Sequence, residues 1–105
     1  MTDHYVYIMS NECLGPNIYK IGWTRKNPEI RAKQLSATSL PKPFKVERVI
    51  ITDDGPKLEA TLHNHFKDFS VSDNREFFEI DKDLLLSSLT DEFNLELLDR
   101  VENND

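Results

Sequence analysis

The stretch Ile18-Tyr19-Lys20-Ile21-Gly22-Trp23-Thr24 constrains this chain more than any other. It alternates as a strand does, with Tyr19, Ile21 and Trp23 on one side and Ile18, Lys20 and Gly22 on the other. A lysine inside an apolar strand is costly to bury unless it is paired or faces a site. The adjoining glycine points to close approach by another backbone or a ligand. Upstream, Tyr5-Val6-Tyr7-Ile8-Met9 reads as a second strand, and the residues between, 10–17, are dense in turn formers. The pieces predict a hairpin with a loop longer than a tight turn. Once it closes, the Tyr7 phenol and the Lys20 amine stand on the same face as neighbours across the pair. On these two strands alone, the plainer reading is an ordinary hairpin whose lysine reaches out to water.

Asn27-Pro28-Glu29 then looks like a helix start, with Asn as N-cap, Pro at the first helical position and an acid in the first turn. The helix predicted over residues 28–35 stacks Arg31 on Leu35 at i, i+4. Two prolines in 36–43 favour an extended linker. Residues 44–51 alternate as a third strand, polar at first and then buried. Asp53-Asp54-Gly55-Pro56 opens a second helix with its body at 57–66. Leu58, Leu62, His65 and Phe66 form its predicted core stripe, and Glu59 and His63 lie four apart on an adjoining face. A turn at 70–74 precedes a short strand over 76–80. A leucine-rich segment, 83–89, has Asp81 as cap and is read as continuing in helical form as far as Leu98, ahead of a polar, frayed end. The fold class is α/β of the α+β kind: a small, mainly antiparallel three-stranded sheet flanked by helices. Residues 1–80 form the body, and 81–105 a helical extension of the same domain.

The 105 residues suit one domain with a single core, and 30% charged residues suit a polar surface. No apolar run approaches the roughly 20 residues needed to cross a bilayer. The start, Met1-Thr2-Asp3-His4, lacks the pattern of a signal peptide. Cys13 is the single cysteine, which leaves no internal disulfide and no cysteine-based zinc site. A cytoplasmic, intracellular setting is therefore expected. The net charge of −6 argues against a nucleic-acid binder until it is divided. Residues 1–48 carry +4 and residues 49–105 carry −10. A basic stretch from Lys20 to Arg48 is compatible with a phosphate-facing surface, since local potential steers a polyanion. It is equally compatible with a solvated helix face.

Taken in order, Tyr5-Val6-Tyr7, Lys20-Ile21-Gly22, Arg31, Glu59-Ala60-Thr61-Leu62-His63 and Arg75-Glu76-Phe77-Phe78 resemble the GIY-YIG nuclease superfamily. The likeness is closest to its phage-encoded and bacterial branch, whose second motif reads Lys-Ile-Gly. It runs from about Tyr5 to Ile80. The resemblance implies a metal-dependent DNA endonuclease. Tyr7 then matches the catalytic tyrosine of the first motif, and Lys20 stands where most members have the second tyrosine. Arg31 matches the phosphate-binding arginine, and Glu59 the single carboxylate for a divalent metal, Mg²⁺ or Mn²⁺. His63 and Glu76 belong to the branch pattern. Arg25, Lys26 and Lys33 join Lys20 and Arg31 as phosphate contacts, and Tyr19, Glu76 and Asn74 are accessory candidates. Two departures stand out: Tyr5 occupies the glycine position of the first motif, and Tyr19 lies one residue early and would point the other way.

Phosphodiester hydrolysis needs a deprotonated nucleophile and neutralised charge on the phosphate and the leaving oxygen. A phenol, with an ordinary pKa of about 10, needs a neighbour to act near neutrality. The Lys20 ammonium is placed to favour the phenolate. The Arg31 fork suits phosphate oxygens. One carboxylate suits Mg²⁺, which keeps most of its waters. The plainer reading of each residue is structural: a packed tyrosine, surface charges on helices, a histidine on a helix edge. Two further readings stay open, a non-catalytic nucleic-acid-binding or protein-interaction module on the same scaffold and a plain interaction domain using residues 84–98. A coordinated double-strand cut would require a homodimer or larger assembly.

Overall fold

The computed structural model describes residues 3–36, 41–71 and 76–101. The predicted hairpin is present: β1 (His4–Ser10) pairs antiparallel with β2 (Ile18–Thr24). A single 3₁₀ turn, Glu12–Leu14, fills the loop, and Asn11 caps it by accepting from the Cys13 N–H. Asn17 (φ 62°) and Gly15 (φ 93°) turn the chain back into β2, positions where a left-handed backbone favours these residue types.

β3 (Lys45–Thr52) lies on the other side of β1. The short strand expected near 76–80 is β4 (Phe77–Glu79), which pairs with β2 at Ile18–Lys20. The three-stranded sheet of the sequence reading is thus completed by a fourth strand, in the order β3-β1-β2-β4, antiparallel throughout. β1 is central and covered on both faces, so residues 6–9 are buried without alternation. That explains why the stretch reads as a continuous apolar run.

The helices divide between the faces. α1 (Pro28–Ser36) starts where the sequence signals placed it, with Asn27 Oδ1 accepting from the Glu29 N–H at 2.9 Å. It covers the face carrying Tyr7 and Met9, through Ala32 and Leu35. α2 (Gly55–His65) begins at the cap Asp54, which accepts from the Lys57 N–H. With α3 (Lys82–Ser87) it closes the larger core on the opposite face, where Val6, Ile8, Ile21, Leu62, Phe66, Phe78, Leu85 and Leu89 are shut off from water. Each such side chain contributes about 1.5–3 kcal/mol relative to exposure.

Two expectations fail here. The helix does not run on to Leu98: α3 passes into a π turn, Ser88–Glu92, and Asn94 turns left-handed (φ 54°). Leu95 and Leu97 still reach the core, and a helix from 83 to 98 would have aimed them away from it. His65 is not a core residue either. Its ring packs edge-on to Phe66 and Phe93 while Nε2 sits 2.9 Å from Glu92. The polar end is tied down as far as Val101, whose carbonyl accepts from Asn27. Among the described residues no helix is long and apolar enough to cross a membrane.

The β1–β3 ladder slips by one residue: Ile8 faces Arg48 but Met9 faces Val46, so Glu47 is extra. The bulge frees its carboxylate to accept from Ser10 Oγ at 2.5 Å and from Lys82 Nζ at 2.9 Å. Burial pushes this carboxyl up. The Ser10 and Lys82 hydrogen bonds, with the Lys82 and Lys45 charges, outweigh burial and hold it below the ordinary range. A depressed carboxyl contributes stability that is present above its unfolded pKa and lost as pH falls through the folded one. Glu47→Gln should therefore cost about 1–3 kcal/mol at neutral pH and progressively less in acid. Denaturant titrations at the two pH values check this, and an equal loss at both would exclude the charge as its source.

Candidate active site

Tyr7 and Lys20 do share a face, but they are diagonal neighbours rather than opposed. The register sets Tyr7 against Gly22 and Met9 against Lys20. The close approach expected at the glycine is made by the tyrosine itself. A Cβ at Gly22 would fall 2.4 Å from Tyr7 Oη and 2.5 Å from Cζ. The Tyr7 phenol thus lies across the Gly22 backbone, with its ring buried.

Lys20 does not snorkel to solvent; it is only 7% exposed. A buried ammonium needs compensation, and Glu76 Oε2 supplies it at 3.3 Å. Nζ also lies 5.8 Å from the centre of the Tyr7 ring and 5.7 Å from that of Phe77. Glu76 thereby enters the site as the partner of Lys20. The pairing follows from β4 lying beside β2, which strand patterns alone do not reveal.

β4 stops short, and the rest of the β2 edge is finished by α2. The Ile21 N–H donates to Glu76 O at 3.1 Å, and the Ile21 carbonyl meets His63 Nε2 at 2.7 Å. A carbonyl can only accept, so Nε2 carries the proton and Nδ1 is the ring nitrogen left to take one up. His63 is thereby fixed on the strand between Lys20 and Gly22. Gly55, Glu59 and His63 share one i, i+4 row of α2. Gly55 is seated on the Trp23 ring, where an added Cβ would come within 2.6 Å of Trp23 Cε3. With Gly55 against Trp23 and His63 on Ile21, Glu59 occupies the middle of the row that borders β2, half-buried.

Around Gly22 the fold therefore gathers Tyr7, Lys20, Glu76 and His63, with Glu59 one turn along. Arg31 is less closely tied. It adjoins Ala32, which packs in the Tyr7 cluster, and its Nη1 reaches Gln34 Oε1 at 3.4 Å. Arg25, Lys26 and Lys33 are exposed, Arg25 with its guanidinium 5.9 Å from the Trp23 ring. Tyr19 does not join the group. It points to the opposite face, into the α2–α3 core, where burial first and the Glu47 charge second raise its pKa. Asn74 lies outside the described residues, as does Arg75.

Among the described residues no group of three or more His, Cys, Asp or Glu side chains is assembled that could hold a metal. A single carboxylate with a histidine one turn away does not fit zinc, which wants three or four protein ligands. It fits hydrated Mg²⁺, which takes one or two carboxylates and completes its shell from water and phosphate. Two cavities, of about 510 and 450 Å³, lie elsewhere, both lined by Ser10, Asn11 and Glu12 at the hairpin's far end. The gathered residues line the β2 edge that β4 and α2 cover, with Tyr7 and Lys20 buried and Glu59, His63 and Glu76 half-buried.

Comparison with curated proteins and with solved structures yields no match. Comparison with protein families matches residues 4–92 to the T5orf172 domain, a phage-associated domain of the endonuclease-related group. Because that match runs from the first residue of β1 to the last of the π turn, the chain belongs to the T5orf172 domain family.

Proposed function

We propose that the chain is a divalent-metal-dependent endonuclease with a GIY-YIG-type site, hydrolysing phosphodiester bonds in DNA. The observation that carries this reading is the placement of Tyr7, Lys20 and His63 around Gly22 by three separate elements, with Glu59 on the same row as His63. The T5orf172 match supports the nuclease class.

In this reading Tyr7 holds or deprotonates the attacking water with its phenol oxygen. Lys20, paired with Glu76, faces the negative charge that develops beside it. His63 accepts or relays a proton at Nδ1, since Nε2 is committed to the Ile21 carbonyl. Arg31 and the exposed Arg25, Lys26 and Lys33 bind the phosphate backbone. A magnesium or manganese ion at Glu59 would supply charge neutralisation on the phosphate and the leaving oxygen.

A second reading rests on the Lys20–Glu76 ion pair. A lysine already satisfied by a carboxylate also fits a DNA-binding module without turnover. Incubating supercoiled plasmid with the chain at low salt, with Mg²⁺, with Mn²⁺ and with chelator, separates the two. The enzyme reading expects nicked circles that require metal. Salt-sensitive binding with no cutting of DNA or RNA would leave the binding module.

A further inference from the structure

The start of α2 is held by a group the reading above does not use. Gly55 is the first residue of that helix, and its N–H, like the others of a first turn, has no partner within the helix. The residue is buried, and its N–H donates to Nδ1 of His4 at 2.8 Å. His4 opens β1, half-buried, with its ring 5.0 Å from the Trp23 ring and tilted by 38°. A Cβ at Gly55 would fall 3.1 Å from His4 Cβ as well as 2.6 Å from Trp23 Cε3. β1, β2 and α2 thus meet at one nitrogen lone pair.

The acceptor type matters. Asp54 serves the Lys57 N–H with a carboxylate oxygen, which keeps its lone pairs near neutrality. Imidazole is the side chain that ordinarily gives its lone pair up between about pH 8 and pH 5. Once protonated, Nδ1 is a donor facing a donor, and the buried Gly55 N–H is left without an acceptor. A positive charge then also stands at the positive end of the helix. The charged groups on the flanking elements are Asp3 beside β1, Asp53 and Asp54 ahead of α2, Lys57 in its first turn and Arg25 over Trp23. The three carboxylates favour that charge, and Lys57 and Arg25 oppose it. Glu59 and His63 follow Gly55 on the same row, one and two turns along, so a displaced helix start reaches both.

We infer that His4 is a positioning residue for the site: with Nδ1 free it fixes the start of α2, and so the seating of Glu59 and His63 against β2, and protonation releases them. For catalysis this rests on the nuclease reading given above. The full native chain is compared with His4→Asn, whose oxygen stays an acceptor at every pH used, and with His4→Phe, which has no acceptor. Of the three glycines, Gly55 reports the bond itself. Gly22 reports the Ile21 carbonyl held by His63, because that carbonyl and the Gly22 N–H share one peptide. Amide spectra without DNA or metal, and plasmid nicking with Mg²⁺, are followed from about pH 8 to pH 5. The native Gly55 amide should shift as the pH falls, with a matching step at Gly22. Both steps should vanish in His4→Asn, and His4→Phe should resemble the acid form of the native chain throughout. Nicking by the native chain relative to His4→Asn should fall roughly tenfold over the range, the scale of one lost buried hydrogen bond. A Gly55 amide that responds alike in the native and His4→Asn chains would overturn the inference. So would a Gly22 step that survives unchanged in His4→Asn, which would belong to His63 alone, or a constant nicking ratio with the amide steps present. Amide steps as expected with no cutting by any chain would leave His4 in its positioning role and overturn the nuclease reading instead.

Discussion

Glu59→Gln should lower metal-dependent nicking by about a hundredfold or more, the scale seen when one group stabilising transition-state charge is removed. The melting temperature should barely move. Glu59 is half-buried on the bordering row of α2, and the anchors of that helix are other residues: Asp54 at the cap, Gly55 on Trp23, Leu62 and Phe66 in the core, His63 on Ile21. Glutamine keeps the size and removes only the charge that a divalent cation needs. Tyr7→Phe should produce a comparable loss. Plasmid nicking at increasing Mg²⁺, read beside thermal unfolding, checks both. Equal rates in native and Glu59→Gln chains would overturn the metal role proposed for Glu59.

Gly22→Ala should damage stability and activity together. The new methyl would sit 2.4 Å from Tyr7 Oη and 2.9 Å from Cε1. The ring, only 2% exposed, is packed among Met9 and Ala32 and has little room to retreat. Overpacking of this kind costs about 1–3 kcal/mol. A displacement of about 1 Å in a reacting group costs on the order of a hundredfold in rate. The two effects separate in a double variant. If the methyl acts through the phenol, Gly22→Ala added to Tyr7→Phe should cost little further activity, whereas independent sites would give multiplied losses.

Local signals were legible wherever one residue type has one job. Asn27-Pro28-Glu29 and Asp54-Gly55-Pro56 marked the two helix starts, because caps act within a single turn. Alternation in 18–24 separated Lys20 and Gly22 from Tyr19 before any pairing was known. What escaped was set by pairing between distant segments. The strand near 76–80 could be read, but not that it would lie beside β2 and give Lys20 its carboxylate. His65 fitted the core stripe by spacing, yet the Phe93 ring and the Glu92 carboxylate claim it at the surface. A leucine every few residues in 84–98 looked helical, while Asn94 and the Leu98–Val49 pairing impose a turn and a bridge. Which residues share a strand face or a helix row was thus visible, and how distant segments join them was not.

These long-range joins set the order in which the molecule can become competent as it is synthesised. The hairpin needs only the first two strands, but the Ile21–His63 bond spans 42 residues and the Lys20–Glu76 pair spans 56. Loop closure over such distances comes after local turns and helices have formed. A nascent chain therefore presents Tyr7 and Lys20 long before Glu59, His63 and Glu76 can reach them. Growing chains that have exposed only the first half lack Glu59, His63 and Glu76 at the β2 edge, which is completed only once β4 has been made.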